Sequence, residues 1–301
     1  MNNISLALKI DVDTDRGTRV GVPNMLQLFK KLNIPATFLF SLGPDNTGRA
    51  LKRIFRPGFL SKVRRTKVVS VYGWRTLLNG VLFPGPHIGK RNAVVMRHAR
   101  ELHHEVGIHC YDHIRWQDGL HKMNQDQVTT EFAKARKVFE NIFGMVAQTA
   151  GAAGWQANAM SLTAYDEAKL FYGSDCRGEY PFIPRVNGKV FKTLQIPSTL
   201  PTLDELLGRE EFQESNLTSY YLSLLQADRP NIFTIHAELE GMAKLDWFTE
   251  FLQTAKERGV NFVKMEDIAR TTLQHYPDIP VCELVQGAVA GRSGTMAVQQ
   301  L

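Results

Sequence analysis

The chain has 301 residues, of which 44% are hydrophobic and 22% are charged, and its net charge is +6. This composition is typical of a globular protein and excludes a largely disordered one. The longest uncharged run, residues 141–165, contains three glycines and several amides, so we predict no transmembrane helix. The first ten residues lack the features of a signal peptide, and the three cysteines are too widely spaced to suggest disulfides, which favours a cytoplasmic location.

Short apolar runs alternate with helical patterns along most of the chain. Strands are predicted over residues 6–10, 36–40, 105–108, 171–174, 192–196, 231–235 and 260–263, and helices over 22–32, 92–103, 125–142, 217–226 and 245–258. This alternation predicts parallel βα units, and the length suits one α/β barrel. We therefore predict a barrel over residues 1–276 with an insertion at about 45–90, and an irregular C-terminal extension over 277–301.

The predicted insertion holds the excess positive charge. Residues 51–90 contain nine Lys and Arg and no Asp or Glu, whereas the rest of the chain has a net charge of −3. Leu51, Ile54 and Phe55 follow a helical spacing, and Pro57-Gly58 predicts a break between two short helices. Basic residues beside aromatic ones suit a membrane-surface element, and an amphipathic helix packed on the barrel is the alternative. No motif for nucleic-acid binding accompanies them, so we predict no such partner.

Polar residues with catalytic or metal-binding potential stand where several predicted strands end. There are six of them: Asp11, Asp13, His109, His113, Asp175 and His236. In a barrel, the carboxyl ends of the strands converge on one active site. For any single residue, capping of the following helix is the alternative, and His109 and His113 could also be a surface pair on a helix. Two imidazoles and a carboxylate can hold a divalent metal with one position open for water, which predicts a hydrolase.

Five short motifs give the chain a family resemblance. In order they are Ile10-Asp11-Val12-Asp13-Thr14, His109-x-x-x-His113, Ala153-Gly154-Trp155, Ser174-Asp175 and Thr234-Ile235-His236. In order and strand-end placement this set resembles the NodB-type polysaccharide deacetylases, which are metal-dependent amidases and esterases. The resemblance implies a deformed (β/α)7 barrel, here with the basic amphipathic insertion.

More narrowly, the whole chain is similar to the deformylase branch that acts on 4-deoxy-4-formamido-L-arabinose linked to undecaprenyl phosphate. That resemblance implies a lipid-linked amino sugar as substrate, an anionic membrane surface as partner, and a peripheral position on the inner face of the bacterial inner membrane. It also implies a role in adding aminoarabinose to lipid A, which confers resistance to cationic peptides such as polymyxin. A polysaccharide N-deacetylase is one alternative, although the chain shows no export signal. A non-catalytic barrel that binds lipid-linked sugars is the other, although such a binder needs no acid and base.

The resemblance also implies which residues hold the metal. Asp13, His109 and His113 would be its ligands, and Asp11 would be the general base that takes a proton from water. The usual motif has adjacent carboxylates, whereas Val12 intervenes here, so the division of roles between Asp11 and Asp13 is left open. This ligand set suits zinc, and also manganese, cobalt or iron.

Further roles follow from the later motifs. His236 would protonate the departing amine, and Asp175 would orient His236. A backbone N–H beside Trp155 would hold the oxyanion, and the Trp155 ring would wall the sugar pocket. Many relatives place an Arg in the third motif, where this chain has Gln156, so Arg177 is a candidate to supply that charge.

Two arginines follow the first motif. Arg16 and Arg19 are candidates to bind the phosphate of the substrate, because guanidinium groups match phosphate oxygens. The alternative is a solvent-exposed loop in which they pair with Asp15.

Overall fold

Short strands alternate with helices along the described chain, as predicted. The computed structural model describes residues 4–50 and 76–301. Its strands are β1 (Ser5–Val12), β2 (Thr37–Ser41), β3 (Glu105–Cys110), β4 (Thr149–Ala150), β5 (Tyr172–Gly173), β6 (Ile183–Val186), β7 (Lys189–Val190), β8 (Leu194–Gln195), β9 (Asn231–His236), β10 (Asn261–Val263), β11 (Val281–Gly287) and β12 (Met296–Gln300). Its α-helices are α1 (Val22–Leu32), α2 (Ile88–Glu101), α3 (His113–Gly119), α4 (Gln125–Phe143), α5 (Ala159–Ala168), α6 (Leu203–Leu206), α7 (Glu214–Leu224), α8 (Leu245–Glu257) and α9 (Met265–Gln274).

Seven parallel strands form a curled sheet in the order β9–β1–β2–β3–β4–β5–β8. Strand β10 pairs in parallel with the first residues of β1. The chain just after β8 joins the two edges, because the N–H groups of Thr199 and Leu200 donate to the carbonyl of Ile232 in β9. The predicted deformed (β/α)7 barrel is therefore confirmed.

The alternation of side chains along β1 separates the core from the barrel interior. Leu6, Leu8 and Ile10 are fully buried in the cluster that also contains the apolar faces of the surrounding helices. Because successive strand residues point to opposite faces, Lys9 and Asp11 face the inside of the barrel. One strand thus serves packing on one face and presents charged groups on the other.

A second sheet covers part of the barrel and corrects the expectation for the C-terminal extension. Its strand order is β12–β11–β6–β7, in which β11 pairs with β12 and β6 with β7 in antiparallel fashion, while β11 and β6 are parallel. Residues 277–301 were expected to be irregular, but 12 of these 25 residues form β11 and β12. The reason is a period-two pattern in β11, where Cys282 and Leu284 are buried while Val281 and Val285 are exposed.

Most of the basic insertion lies outside the described residues, and so do the two short helices predicted in it. The described end contains a 3₁₀ turn at Thr76–Leu78, followed by three exposed apolar residues, Val81, Leu82 and Phe83. Across residues 4–50 and 76–301, no helix combines the length and the apolar character needed to cross a bilayer.

Candidate active site

Three side chains from two barrel strands and the helix after one of them meet at the carboxyl end of the sheet. Asp13 follows β1, His109 lies in β3, and His113 begins α3. The Oδ1 atom of Asp13 lies 3.3 Å from Nε2 of His109 and 3.4 Å from Nε2 of His113. One potential ligand atom from each residue lies within 4.8 Å of the others. The three predicted ligands are thus brought together.

Outer contacts fix both imidazoles. Nδ1 of His109 donates to the carbonyl of Gly151 at 2.7 Å, which leaves the lone pair of the neutral ring on Nε2, towards Asp13. The carboxylate of Asp112 caps the N-terminus of α3 by accepting from the N–H of Arg115, and it also accepts from Asn46 at 2.7 Å. Asp112 therefore anchors the helix that carries His113.

The donor set fits a divalent cation. With Nε2 of His109 unprotonated, Oδ1 of Asp13 is buried without a hydrogen-bond partner. Burial works to raise the pKa of Asp13, but the neighbouring imidazoles, His113 above all, outweigh it and hold that pKa below the usual range. Two imidazole nitrogens and an ionised carboxylate are ligands that zinc and related metals take.

Asp11 and His236 are neighbours across β1 and β9. The two residues are paired in register, so their Cα atoms lie about 4.8 Å apart, one strand spacing. Asp11 is 3% exposed, and its Oδ1 is 3.7 Å from Nδ1 of His109. Its Oδ2 is 3.2 Å from Nζ of Lys9, a fully buried cation that the sequence analysis did not consider. A carboxylate and an imidazole thus stand side by side next to the candidate metal ligands.

Glu238 and Glu240 tie the end of β9 to the rest of the site. Oε1 of Glu238 accepts from the N–H groups of Asp13 and Thr14 and from the hydroxyl of Thr14. Oε2 of Glu240 accepts from the N–H of His236 at 2.8 Å. Burial, and then the charge of Asp13, raise the pKa of Glu238 to about 8. These carboxyl groups hold the backbone at Asp13 and at His236.

Asp175 has partners other than the expected one. Oδ1 accepts from the N–H of Ala152 at 2.7 Å and from the hydroxyl of Tyr165, and Oδ2 accepts from Gln195 at 2.9 Å. In the described part of the chain no hydrogen bond joins Asp175 to His236, because both carboxylate oxygens are engaged around β4, β5 and β8. Burial raises the pKa of Asp175 to about 6, although these hydrogen bonds oppose the shift.

Trp155 is buried in a tight turn behind the site. Gly154 and Trp155 both have positive φ angles, 61° and 53°, and the indole N–H donates to Ser198 at 3.0 Å. The backbone N–H groups expected to hold the oxyanion are engaged within the turn. Those of Trp155 and Gln156 donate to the carbonyls of Ala152 and Ala153, respectively. The ring itself lies between Lys9, at 5.3 Å from its centroid, and Arg292, at 4.3 Å.

Arg177 binds the carboxylate of Glu205, which is far from Asp11 in the sequence. Its Nη1 donates to both oxygens of buried Glu205, at 2.8 and 3.1 Å, while Nε and Nη2 donate to the carbonyls of Ser198 and Leu200. The expected charge near Asp11 therefore comes from Lys9, and Arg177 instead stacks on Trp155 at 5.4 Å.

The two candidate phosphate ligands lie at the start of the short π-helix Gly17–Gly21. Arg16 precedes this helix, and Arg19 is exposed, with its Nε 4.0 Å from Asp15. Asp15 also lies 3.6 Å from Arg91 and accepts from Asn92 at 2.9 Å. Arg19 therefore lies beside Asp15, the partner given in the solvent-exposed-loop alternative. Phosphate binding by Arg16 and Arg19 stays a prediction.

Comparisons with known proteins agree with this fold. A family model for polysaccharide deacetylases matches residues 9–153. A probable 4-deoxy-4-formamido-L-arabinose-phosphoundecaprenol deformylase, ArnD, from Shewanella sediminis is 38% identical over 299 residues, covering 99% of this chain and 95% of that protein. The protein of the same name from Wigglesworthia glossinidia brevipalpis is 32% identical, covering 94% of this chain and 98% of its own length.

A solved structure shares the fold. The crystal structure of a putative polysaccharide deacetylase from Mycobacterium smegmatis superposes with a TM-score of 0.64 at 14% identity, covering 95% of this chain and 94% of that one. The barrel and its relatives thus define a hydrolase that acts on amide bonds. The chain belongs to the polysaccharide deacetylase family.

We expect the Asp13, His109 and His113 cluster to bind one divalent cation. His109→Ala and Asp13→Asn should each lower metal content more than about tenfold, because even the loss of an outer-shell partner costs ten- to hundredfold in affinity. Mass spectrometric metal analysis after dialysis checks this, with exposed His98→Ala as the matched control. Metal content equal to that of wild type in both variants would remove the assigned site.

Proposed function

We propose that this chain removes the formyl group from 4-deoxy-4-formamido-L-arabinose linked to undecaprenyl phosphate. The observation that carries the proposal is the register pair of Asp11 and His236 beside the cluster of Asp13, His109 and His113. Amide hydrolysis needs both a proton acceptor and a proton donor, and this arrangement offers one of each. The name of the 38% identical relative supports the formyl group and the lipid-linked sugar. The product would enter lipid A modification and resistance to cationic peptides such as polymyxin.

The proton transfers can be assigned to atoms of this chain. Oδ1 of Asp11, which has no hydrogen-bond partner, takes a proton from the attacking water. The water oxygen then bonds to the formyl carbon. As the C–N bond breaks, His236 gives a proton to the nitrogen, because an amide anion is a very poor leaving group. The products are the free amine and formic acid, which loses its proton to solvent as formate. Asp11 ends protonated and His236 neutral, and passage of one proton from Asp11 to His236 through solvent restores both groups, so atoms and charges balance.

The metal would be held by Asp13, His109 and His113, and zinc fits this donor set, as do manganese and cobalt. When bound, it would supply electrostatic stabilisation of the oxygen charge that develops during hydrolysis. The hydrogen bond from the N–H of Asp13 to Glu238 keeps Asp13 in place. Because Glu238 follows β9, the ligand geometry depends on β9 as well as on β1.

A membrane surface is the proposed partner of the basic insertion. Residues 51–90 contain nine Lys and Arg without an acid, and the described end of the insertion exposes Val81, Leu82 and Phe83. Cationic and apolar side chains together suit the surface of an anionic leaflet, where an undecaprenyl chain is also anchored. This supports a peripheral position at the cytoplasmic face of the bacterial inner membrane.

The substrate is tested by incubating the purified protein with lipid-linked formamido and acetamido sugars and each candidate metal. We expect a mass loss of one formyl group from the first sugar and slower or no change of the second. A chelator should abolish the reaction. Preferential loss of acetyl would instead support the N-deacetylase alternative, and no reaction with any metal would support a non-catalytic barrel.

His236→Ala should lower turnover by about a hundred- to ten-thousandfold, because it removes the proton donor to the amine. Metal content should stay at the wild-type level, since His236 is outside the ligand cluster. Turnover and metal content are measured on the same preparation, with exposed His98→Ala as the matched control. Near-normal turnover in His236→Ala would remove the acid role.

Charge reversal in the insertion should weaken membrane binding. Each Lys or Arg near an anionic leaflet contributes about 1 kcal/mol, so Arg64→Glu, Arg65→Glu and Lys67→Glu together should lower vesicle binding at least about a hundredfold. The matched control reverses Lys30 and Lys31, which are exposed on α1, and Lys137, which is exposed on α4. Sedimentation with phosphatidylglycerol vesicles measures the effect. Equal weakening by both triple variants would show that net charge, not the insertion, governs binding.

A further inference from the structure

Lys9 is a buried cation in the middle of a β-strand, where its residue type is unexpected. Its side chain is fully buried, and lysine is almost never fully buried unless it is paired. Only Ile10 separates Lys9 from Asp11 along β1, so both side chains lie on the interior face of the barrel. Nζ of Lys9 is 3.2 Å from Oδ2 of Asp11, which supplies the partner that the burial requires.

The surroundings of Lys9 leave room for its long stem and hold its charge in place. A Cβ atom added at Gly151 would come within 3.0 Å of Cε of Lys9 and 2.5 Å of Leu39, so a glycine there keeps the path open. The Trp155 ring lies 5.3 Å from Nζ, a distance at which a ring face attracts a cation. Lys9 also acts electrostatically on Asp175, where its charge works to lower the pKa.

The pairing divides the two oxygens of Asp11 into different roles. Oδ2 is engaged by Lys9, whereas Oδ1 is buried without a hydrogen-bond partner, 3.7 Å from the ring of His109. Rotation of the carboxylate would place Oδ1 on the ammonium and Oδ2 elsewhere, but either way one oxygen stays committed to Lys9. The other oxygen is thereby held towards the ligand cluster.

We propose that Lys9 is a positioning residue for Asp11, fixing the carboxylate so that one oxygen is directed to the reacting water. This inference rests on the proposed function, in which Asp11 accepts the proton. The cation expected from Arg177 thus comes from β1 itself, and Lys9 and Asp11 on the interior face of this strand act together with Asp13, which follows it.

The test compares Lys9→Met, which keeps the length of the side chain without its charge, with Lys9→Arg, which keeps the charge. Lys9→Met should lower kcat about 10- to 100-fold, since small misplacement of a reacting group has effects of this size. KM and metal content should stay near wild type, because Lys9 is fully buried and is not a member of the cluster of Asp13, His109 and His113. Lys9→Arg should recover most of the kcat.

Tyr172→Phe is the matched control, because it removes the hydrogen bond from buried Tyr172 to Glu105, which begins β3 at the opposite end of the barrel. It should lower stability without changing kcat. If Lys9→Met does not fold, Lys9→Gln replaces it. A normal kcat in the uncharged variant, or an Arg variant as slow as the Met variant, would overturn the proposal.

Crystal structures of wild type and the uncharged variant decide the matter without an assay. The Asp11 carboxylate should turn away from its wild-type position when Lys9 is replaced, and an unchanged carboxylate would overturn the positioning role. If wild type fails to release formate while Asp11 moves as expected, the proposed function fails and the role of Lys9 in placing Asp11 stands.

Discussion

The burial of two carboxylates at the carboxyl end of β1, Asp11 within the strand and Asp13 just after it, is the constraint on which the site depends. Asp11 is almost fully buried, and the Oδ1 atom of Asp13 is buried too, and an unpaired ion at such a place is strongly unfavourable. Each carboxylate therefore needs positive or hydrogen-bonding partners, and the barrel supplies them from different strands. Lys9 pairs with Asp11 on β1 itself, and His109 and His113 approach Asp13 from β3 and α3. The chemistry of the site follows from how these charges are compensated.

The groups that hold Asp13, His109 and the helix of His113 from outside explain why the site is rigid. The Gly151 carbonyl selects the tautomer of His109, Asp112 anchors the helix of His113, and Glu238 accepts three hydrogen bonds from Asp13 and Thr14. These contacts connect β1, β3, β4 and β9, so each ligand depends on a partner distant in sequence. Metal affinity and folding are expected to be coupled for this reason, since the cluster exists only when the barrel is closed.

The sequence predicted what local patterns determine. Apolar runs gave the parallel strands, and polar residues at their ends gave the set of Asp13, His109 and His113 that the structure brings together. The partners of Asp175, which come from several strands, were missed, and so was the pairing of Lys9 with Asp11 within β1. Lys9 had a detectable signal, a lysine two residues before an aspartate in an apolar strand. Helix α5 was also missed, although Asn158 caps it by accepting from Met160 and Ser161. Strand β4 has only two residues, too few for any periodicity.

The C-terminal part of the chain builds the wall behind Trp155, which local motifs in the first half do not reveal. Arg292 lies on the Trp155 ring and donates to Glu205, the same carboxylate that Arg177 binds. Gly291 has a φ of 83°, and a Cβ atom there would come within 2.2 Å of the Glu205 carbonyl, so this approach requires glycine. The match to the family model ends at residue 153, whereas the 38% identical relative aligns with 99% of the chain. The proposed proton acceptor, Asp11, and the proposed metal ligands, Asp13, His109 and His113, thus lie in the part shared by the wider family. The residues around Trp155 lie in the part shared with the narrower branch. We expect the members of the wider family to share their chemistry and to differ in substrate through this part of the chain.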